Sequence, residues 1–392
     1  MPERTIGNSS EVQVLVACAR RQLSAAERGG LCKLVAGELD WARLLGLANE
    51  NGLLPLLHKH LAAAAGNVPP NVLKQISEES RENAMRGLSL TAELLRILNE
   101  FRHRDIRAIP YKGPVLAARG YGSPTLRQFD DLDIVTPQAF MPAVYDAMLH
   151  LDYQTRLPRE RFATNHPQAI PGEYVFVHRI SNAMVELHTE LTLRHFPVCP
   201  DVDAMTQRSV VVSVDSKDVP AFAIEDALLM LAVHGAKDFW SRLIWVADVA
   251  EIVKQARSLD WKGLVTEANR LKATRMLNLA FSVAREILDL DLPPEIVNQI
   301  QSDGAVQLLT RQISRQLMNG ETLGDGVLQR SLYRIRMTEG IWDGLRYWMR
   351  LSTAPAQEDW GMVDIPGRFS GSYALLRPFR LWKKYRQRRF RE

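Results

Sequence analysis

Cysteine is scarce in this sequence, and long apolar runs are missing. The 392 residues include three cysteines, Cys18, Cys32 and Cys199, which are widely spaced and odd in number. This pattern argues against a disulfide framework. The longest apolar stretch, around residues 227–233, is far too short to span a bilayer. Residues 1–13 are polar and include acidic side chains, unlike a secretory signal, so we expect a cytoplasmic protein.

An excess of positive charge is also missing over most of the chain. The formal net charge is +4, but residues 377–392 hold eight of the 49 basic residues and one acidic residue. The rest of the chain has 41 basic and 44 acidic residues, so the excess of basic residues is confined to a tail. Phe379, Trp382 and Tyr385 recur there every three residues, which favours a helix packed on the protein body. An RNA contact and a membrane-surface anchor remain alternatives.

The spacing of apolar residues predicts an α+β fold, in which a small mixed sheet lies between N-terminal and C-terminal helical regions. Residues 10–104 have helical periodicity, with a break at Asn51 and Gly52 and a long helix at 72–103. Short apolar segments predict strands at 107–112, 131–135, 173–179 and 182–191, and a strand or hairpin at 209–224. We divide the chain into a helical region (1–104), a catalytic core (105–224), a second helical region (225–376) and the basic-aromatic tail (377–392).

Two carboxylates lie at the start of the strand predicted at 131–135. Asp131 and Asp133 are two residues apart, so their side chains lie on one face, with Cα atoms about 6.6 Å apart. Two like charges on an apolar strand repel and lose solvation, which a bound cation would offset. A solvated loop is the alternative. A second Asp-x-Asp pair, Asp201 and Asp203, follows "FPVCP" and is expected to be a plain loop.

Another predicted strand, "MVELHTEL", carries Glu186 and His188 on one face. If it neighbours the first strand, Glu186 joins Asp131 and Asp133 in a cluster of three carboxylates. Such oxygen ligands select Mg²⁺ or Mn²⁺, and substrate phosphates complete the coordination. We therefore expect these three residues to be catalytic and metal-binding. His188 is expected to pack beside the site more often than to bind a metal.

Basic residues precede the same strand. Lys112 and Gly113 end a predicted strand and begin a short helix, whose free amides and positive end suit a phosphate chain. The spacing of a Walker loop is absent. Arg127 lies four residues before Asp131, where its guanidinium could bind phosphate oxygens or form a structural ion pair.

These residues resemble the uncharacterised nucleotidyltransferase family of the polymerase-beta-like nucleotidyltransferase superfamily. The similarity rests first on "KGPVLAARGYGSPTLRQFDDLDIV", residues 112–135. It extends through "LANENGLLPLL", "ENAMRGLSLTAELLRIL", "VELHTEL" and "VHGAKDFWSRLIWVADVAEI" to "TAPAQEDW" and "SYALLRPFRL". The ordered set covers nearly the whole chain and is much more specific than any single motif.

The resemblance implies Mg²⁺-dependent transfer of a nucleoside monophosphate from an NTP, such as ATP, to an acceptor hydroxyl, with release of pyrophosphate. His234 and Lys237, on one face of a predicted helix, join Lys112, Gly113 and Arg127 as candidate nucleotide-binding residues. The acceptor stays open among RNA, a protein or peptide, and a small molecule, and neither the NTP nor the oligomeric state follows from the sequence. The alternative is a non-catalytic nucleotide-binding or scaffold protein that retains the fold.

Overall fold

The computed structural model describes residues 9–162, 172–192, 196–256, 258–319 and 327–353. The basic-aromatic tail predicted at 377–392 lies outside these residues, as do residues 354–360 of the similarity segment "TAPAQEDW" and all of "SYALLRPFRL".

Within the described residues, helices form both ends of the chain and strands form its middle. The helices are α1 Ser10–Cys18, α2 Ala25–Val35, α3 Trp41–Glu50, α4 Leu54–Ala63, α5 Pro70–His103, α6 Gly113–Leu116, α7 Met141–His150, α8 Val202–Gln207, α9 Ile224–Lys237, α10 Leu243–Gln255, α11 Trp261–Arg270, α12 Thr274–Leu288, α13 Pro294–Ser302, α14 Gly304–Asn319, α15 Val327–Arg336 and α16 Ile341–Thr353. The strands are β1 Ile109–Pro110, β2 Asp131–Val135, β3 Tyr153–Gln154, β4 Glu173–His178, β5 Met184–His188, β6 Val210–Val214 and β7 Lys217–Ala221. A π-helical turn, Ala117–Tyr121, continues α6.

The predicted α+β fold is confirmed. The break between α3 and α4 lies where it was expected, because Gly52 adopts a left-handed conformation (φ +70°) that other residues rarely adopt. Residues 209–224 include a hairpin of β6 and β7. The sequence pattern did not reveal α7 or β3. It also overextended the first strand, because Pro110 lacks an N–H and β1 is limited to two residues at the sheet edge.

The central sheet has the strand order β1-β2-β5-β4-β3. Strands β2 and β5 are parallel, whereas the other neighbouring strands in this sheet are antiparallel. Side chains alternate between its two faces. On one face, Leu132, Ile134, Val185 and Leu187 are almost fully buried and pack with residues of α5 and α7 in one apolar core. Because alternate residues point to opposite faces, the neighbouring acidic residues are directed away from this core.

A second core joins the two helical ends of the chain. Apolar residues of α1, α3 and α4 pack with those of α9, α10 and α12, and α12 also contacts α14. Val135 and Ile109 extend this core to the sheet, so the acidic face lies beside it. None of the described helices combines the length and apolar character needed to cross a membrane.

Candidate functional site

The register of β2 and β5 brings the predicted acidic residues together. Asp133 is paired with Glu186, and Val135 with His188, in a parallel arrangement. His188 Nε2 lies 3.1 Å from Asp133 Oδ1 and 3.6 Å from Glu186 Oε2. One ligand atom from each of Asp133, Glu186 and His188 lies within 4.8 Å of the others. These three side chains therefore form a compact group that could hold a metal ion.

Asp133 is the most enclosed carboxylate of the group, at 5% exposure. Its Oδ1 accepts hydrogen bonds from Tyr111 Oη at 3.4 Å, Lys112 Nζ at 3.3 Å and His188 Nε2 at 3.1 Å. Burial alone would raise the pKa of Asp133, but the charge of Lys112 and the bond from His188 outweigh burial and lower it. Asp133 is therefore held as an anion by three donors on one oxygen.

Asp131 and Glu186 resist ionisation. Burial, followed by repulsion from Asp133, raises the pKa of Asp131. Burial raises the pKa of Glu186 to about 7, with Glu173 as the next largest cause and Asp133 after it. Each carboxylate destabilises the charge of its neighbours, and a bound cation would relieve this repulsion. The set of donors thus fits a divalent metal.

The compact group differs from the predicted ligand set in one position. Asp131 lines the same cavity, but within the described residues the group consists of Asp133, Glu186 and His188. His188 was expected to be a packing residue, yet its Nε2 lies among the carboxylate oxygens. The sequence signal that could have identified it is its same-face spacing with Glu186.

Two other aspartates, Asp130 and Asp201, are engaged by their local surroundings. Asp130, next to the pair, is 60% exposed and forms a 2.8 Å ion pair with Arg86 at the edge of the cavity. Asp201 of the second Asp-x-Asp pair is the N-cap of α8, and its carboxylate accepts a hydrogen bond from the amide of Ala204 at 3.0 Å. The plain loop expected at Asp201 and Asp203 is therefore wrong, because the first aspartate starts a helix.

Lys112 and Gly113 lie directly beside the carboxylates. Gly113 has φ +53°, and a Cβ at this position would lie 3.3 Å from the backbone oxygen of Asp131. Only glycine combines this conformation with this close approach. Helix α6 has four residues before the π-helical turn, so its dipole is small and the charge of Lys112 is the main attraction for an anion.

Arg127 takes the ion-pair arrangement that the sequence left as an alternative. Its Nε and Nη2 donate to the two carboxylate oxygens of Asp248 at 2.9 and 2.8 Å. Tyr121 Oη donates to the same carboxylate at 3.0 Å. Arg127 is 6% exposed and Asp248 is fully buried, so this network fixes the loop before β2 to α10. Arg127 lines the cavity, but its main fork is already occupied.

His234 and Lys237 approach the cavity from α9. Burial lowers the pKa of His234 well below its ordinary value, with Lys112 as the next cause, so the ring is neutral. The ring meets Trp245 edge to face, with centroids 4.9 Å apart. Lys237 pairs with Asp238 at 3.5 Å and is 37% exposed, which places it at the more open part of the site.

The predicted residues share a single cavity of about 310 Å³, within the range of small-molecule sites. It brings together Lys112, Gly113, Arg127, Asp131, Asp133, Glu186, His234 and Lys237. The lining residues that sequence reasoning missed include Tyr111, Glu173 and Arg242. The sequence could have indicated Glu173, because this acidic residue begins a predicted apolar strand. It could not have indicated Arg242, because no sequence pattern predicts where a side chain of an irregular turn points.

Comparison with known proteins gives one family match. A family model described as "Uncharacterised nucleotidyltransferase" matches residues 37–289, well over half of the chain. This range contains every residue of the cavity discussed above. No curated protein matches the chain significantly.

Proposed function

Because the chain belongs to the uncharacterised nucleotidyltransferase family, we propose that it moves a nucleoside monophosphate from an NTP to an acceptor hydroxyl. The family supports an enzyme that transfers nucleotidyl groups and takes a nucleotide substrate. The observation that carries the finer proposal is the acidic face of β2 and β5, which meets Lys112 in one cavity.

The proposed cofactor is Mg²⁺, with Mn²⁺ as the alternative. Asp133 and Glu186 would hold it, with Asp131 as the adjoining donor. His188 would join them in the tautomer that leaves Nε2 without a proton. When bound, such a cation stabilises charge on the phosphates and acidifies the acceptor hydroxyl. The oxygen-rich set suits Mg²⁺, while the imidazole of His188 is a donor that suits transition metals better.

The proton of the acceptor has a suitable destination in Glu186. Burial raises the pKa of Glu186 in the metal-free cavity, and a bound cation would lower it again. Glu186 would therefore accept this proton on a carboxylate oxygen that does not hold the cation. As the acceptor oxygen bonds to the α-phosphorus, its proton passes to this carboxylate. The bond between the α-phosphorus and the bridging oxygen breaks, and the electron pair leaves with pyrophosphate.

Charge on the departing phosphates is countered by basic groups of the same cavity. Lys112 is 20% exposed and adjoins the carboxylates, and Lys237 lies at the more open part. Gly113 allows the backbone to approach β2 closely, which keeps Lys112 beside Asp133. Fixed charges in a partly buried site stabilise developing charge without reorganisation. ATP is the proposed nucleotide, the acceptor is RNA, a protein or peptide, or a small molecule, and the proposed location is the cytoplasm.

The test is transfer of label from each of the four α-labelled NTPs into cell extract with Mg²⁺. We expect a labelled product with the wild-type chain and none with Asp133→Asn or Glu186→Gln. Asp203→Asn is the matched control, since this exposed aspartate belongs to the other Asp-x-Asp pair. Separate RNase and protease treatments identify the class of acceptor. No product with any nucleotide would favour the scaffold alternative.

A further inference from the structure

The cavity contains more basic groups than the two lysines, Lys112 and Lys237, that the proposed function assigns to the phosphates. Four basic side chains line it: Lys112, Arg127, Lys237 and Arg242. The first three each have a carboxylate partner, at 3.3, 2.8 and 3.5 Å respectively. Their charges are therefore partly neutralised within the protein.

Arg242 differs from the other three. Among the described residues it has no ion-pair partner, and its one hydrogen bond runs from Nε to the backbone oxygen of Glu50 at 3.0 Å. Its two Nη groups donate to no described residue. Burial lowers the pKa of Arg242, and the nearby charge of Arg127 is the next cause, while Asp130, Asp248 and Asp131 act in the opposite direction without forming an ion pair with it. An anion at this position would offset both burial and repulsion.

The turn between α9 and α10 holds Arg242 at the cavity. Phe239 and Trp240 are consecutive left-handed residues, with φ of 62° and 50°. The Trp240 ring lies so close to Gly235 that a Cβ there would be 2.6 Å away. Such strained backbone persists only where the surrounding packing enforces it. The fully buried Trp240 therefore fixes the turn from which Arg242 extends.

At the N-terminal end of α10, the first two backbone amides are not free to bind an anion. The amide of Leu243 donates to Asn51 Oδ1 at 2.9 Å, and that of Ile244 donates to the Asn51 backbone oxygen at 3.2 Å. Arg242 also lies against Gly52, with Nη2 only 3.1 Å from the position of a Cβ there. The α3–α4 turn thus caps α10 and supports the guanidinium, which leaves the side chain as the anion-binding group.

We propose that Arg242 binds the phosphate chain of the nucleotide, and that Arg127 is a structural ion-pair residue. This inference rests on the proposed function. A guanidinium presents paired donors that match phosphate oxygens, and here its Nη groups are the uncommitted donors. Arg242 belongs to the C-terminal helical region and Lys112 to the core, so two regions of the chain would each contribute a positive charge to the phosphates.

The test measures binding of inorganic tripolyphosphate with Mg²⁺ to the full chain by calorimetry. We expect Arg242→Met to weaken binding about 10- to 100-fold, the loss typical of charged hydrogen bonds. Arg242→Lys should give an intermediate affinity, because it keeps the charge and loses the fork. Arg102→Met, at an exposed position of α5, is the control and should bind like the wild type.

Thermal melting of each variant separates this role from a structural one. A merely structural Arg242, acting through Glu50, would shift the melting temperature and leave the affinity of the folded protein unchanged. Wild-type affinity in Arg242→Met would overturn the inference while NTP-dependent labelling by the wild type left the proposed function intact. Failure of the wild type to bind tripolyphosphate and to label any acceptor would overturn both.

Discussion

Replacing Asp248 by leucine measures the cost of leaving the buried Arg127 behind the cavity without its carboxylate partner. Asp248 is fully buried, and both of its oxygens accept from Arg127 at 2.8–2.9 Å. The substitution leaves the Arg127 guanidinium charged at 6% exposure. Loss of one partner from such a pair costs about 3–5 kcal/mol, because the remaining charge is uncompensated. Tyr121→Phe, which removes a single bond to the same carboxylate, should cost about 1.5–3 kcal/mol.

The matched control is an exposed pair of the same length. Arg159 and Asp146 are also 2.8 Å apart, but their side chains are 66% and 42% exposed. Asp146→Leu should therefore cost no more than about 1 kcal/mol, since solvent already screens this pair. Asp248 also accepts three hydrogen bonds whereas Asp146 accepts one, so Tyr121→Phe is needed beside this comparison to separate burial from the number of bonds.

Urea unfolding followed by circular dichroism and tryptophan fluorescence measures the free energies. The two probes must give coincident transitions before a free energy is assigned. The double variant Arg127→Met with Asp248→Leu removes both charges and should lose less stability than Asp248→Leu alone. A loss for Asp248→Leu no larger than for Asp146→Leu would refute the reasoning.

Three further predictions concern the site itself. Gly113→Ala should lower the free energy of unfolding by about 1–2 kcal/mol, because Gly113 has a left-handed φ. The control, Gly29→Ala on the exposed face of α2, should raise it by about 0.5–1 kcal/mol. Equal effects of the two substitutions would contradict this prediction. Mg²⁺ affinity should rise from pH 6 to 8, because the Glu186 carboxyl has a pKa of about 7 and must lose its proton to bind. Calorimetry in two buffers should detect the released proton, and Glu186→Gln should remove this dependence. Lys112→Met should strengthen Mg²⁺ binding in the absence of nucleotide, because it removes a cation 3.3 Å from Asp133. The same substitution should weaken tripolyphosphate binding. A loss of both affinities would contradict this prediction.

Local sequence patterns were sufficient for the fold class and for the acidic strands. Period-two alternation placed Asp131 with Asp133, and Glu186 with His188, on single strand faces. Strand β2 has the predicted boundaries, whereas β5 covers only Met184–His188 of the predicted 182–191. Helical periodicity and the glycine at position 52 predicted the N-terminal helices. These features depend on neighbours within a few residues, which is why a single sequence records them.

Pairing between distant segments was outside the reach of those patterns. The parallel register that sets Asp133 opposite Glu186 joins residues about 50 positions apart, and the sequence could state it only as a condition. The predicted roles of all eight site residues stay predictions. Their presence in one cavity is a structural finding.

Tertiary structure alone decided which of Arg127 and Arg242 is already paired with a carboxylate of the protein. The sequence made Arg127 attractive because it precedes the aspartates by four residues, but a carboxylate 121 positions later occupies its fork. No sequence pattern indicates Arg242, because the direction of its side chain follows from the packing of Trp240 over Gly235 in a strained turn. A local pattern determines the face on which a side chain lies, whereas its partner depends on the whole chain packing around it.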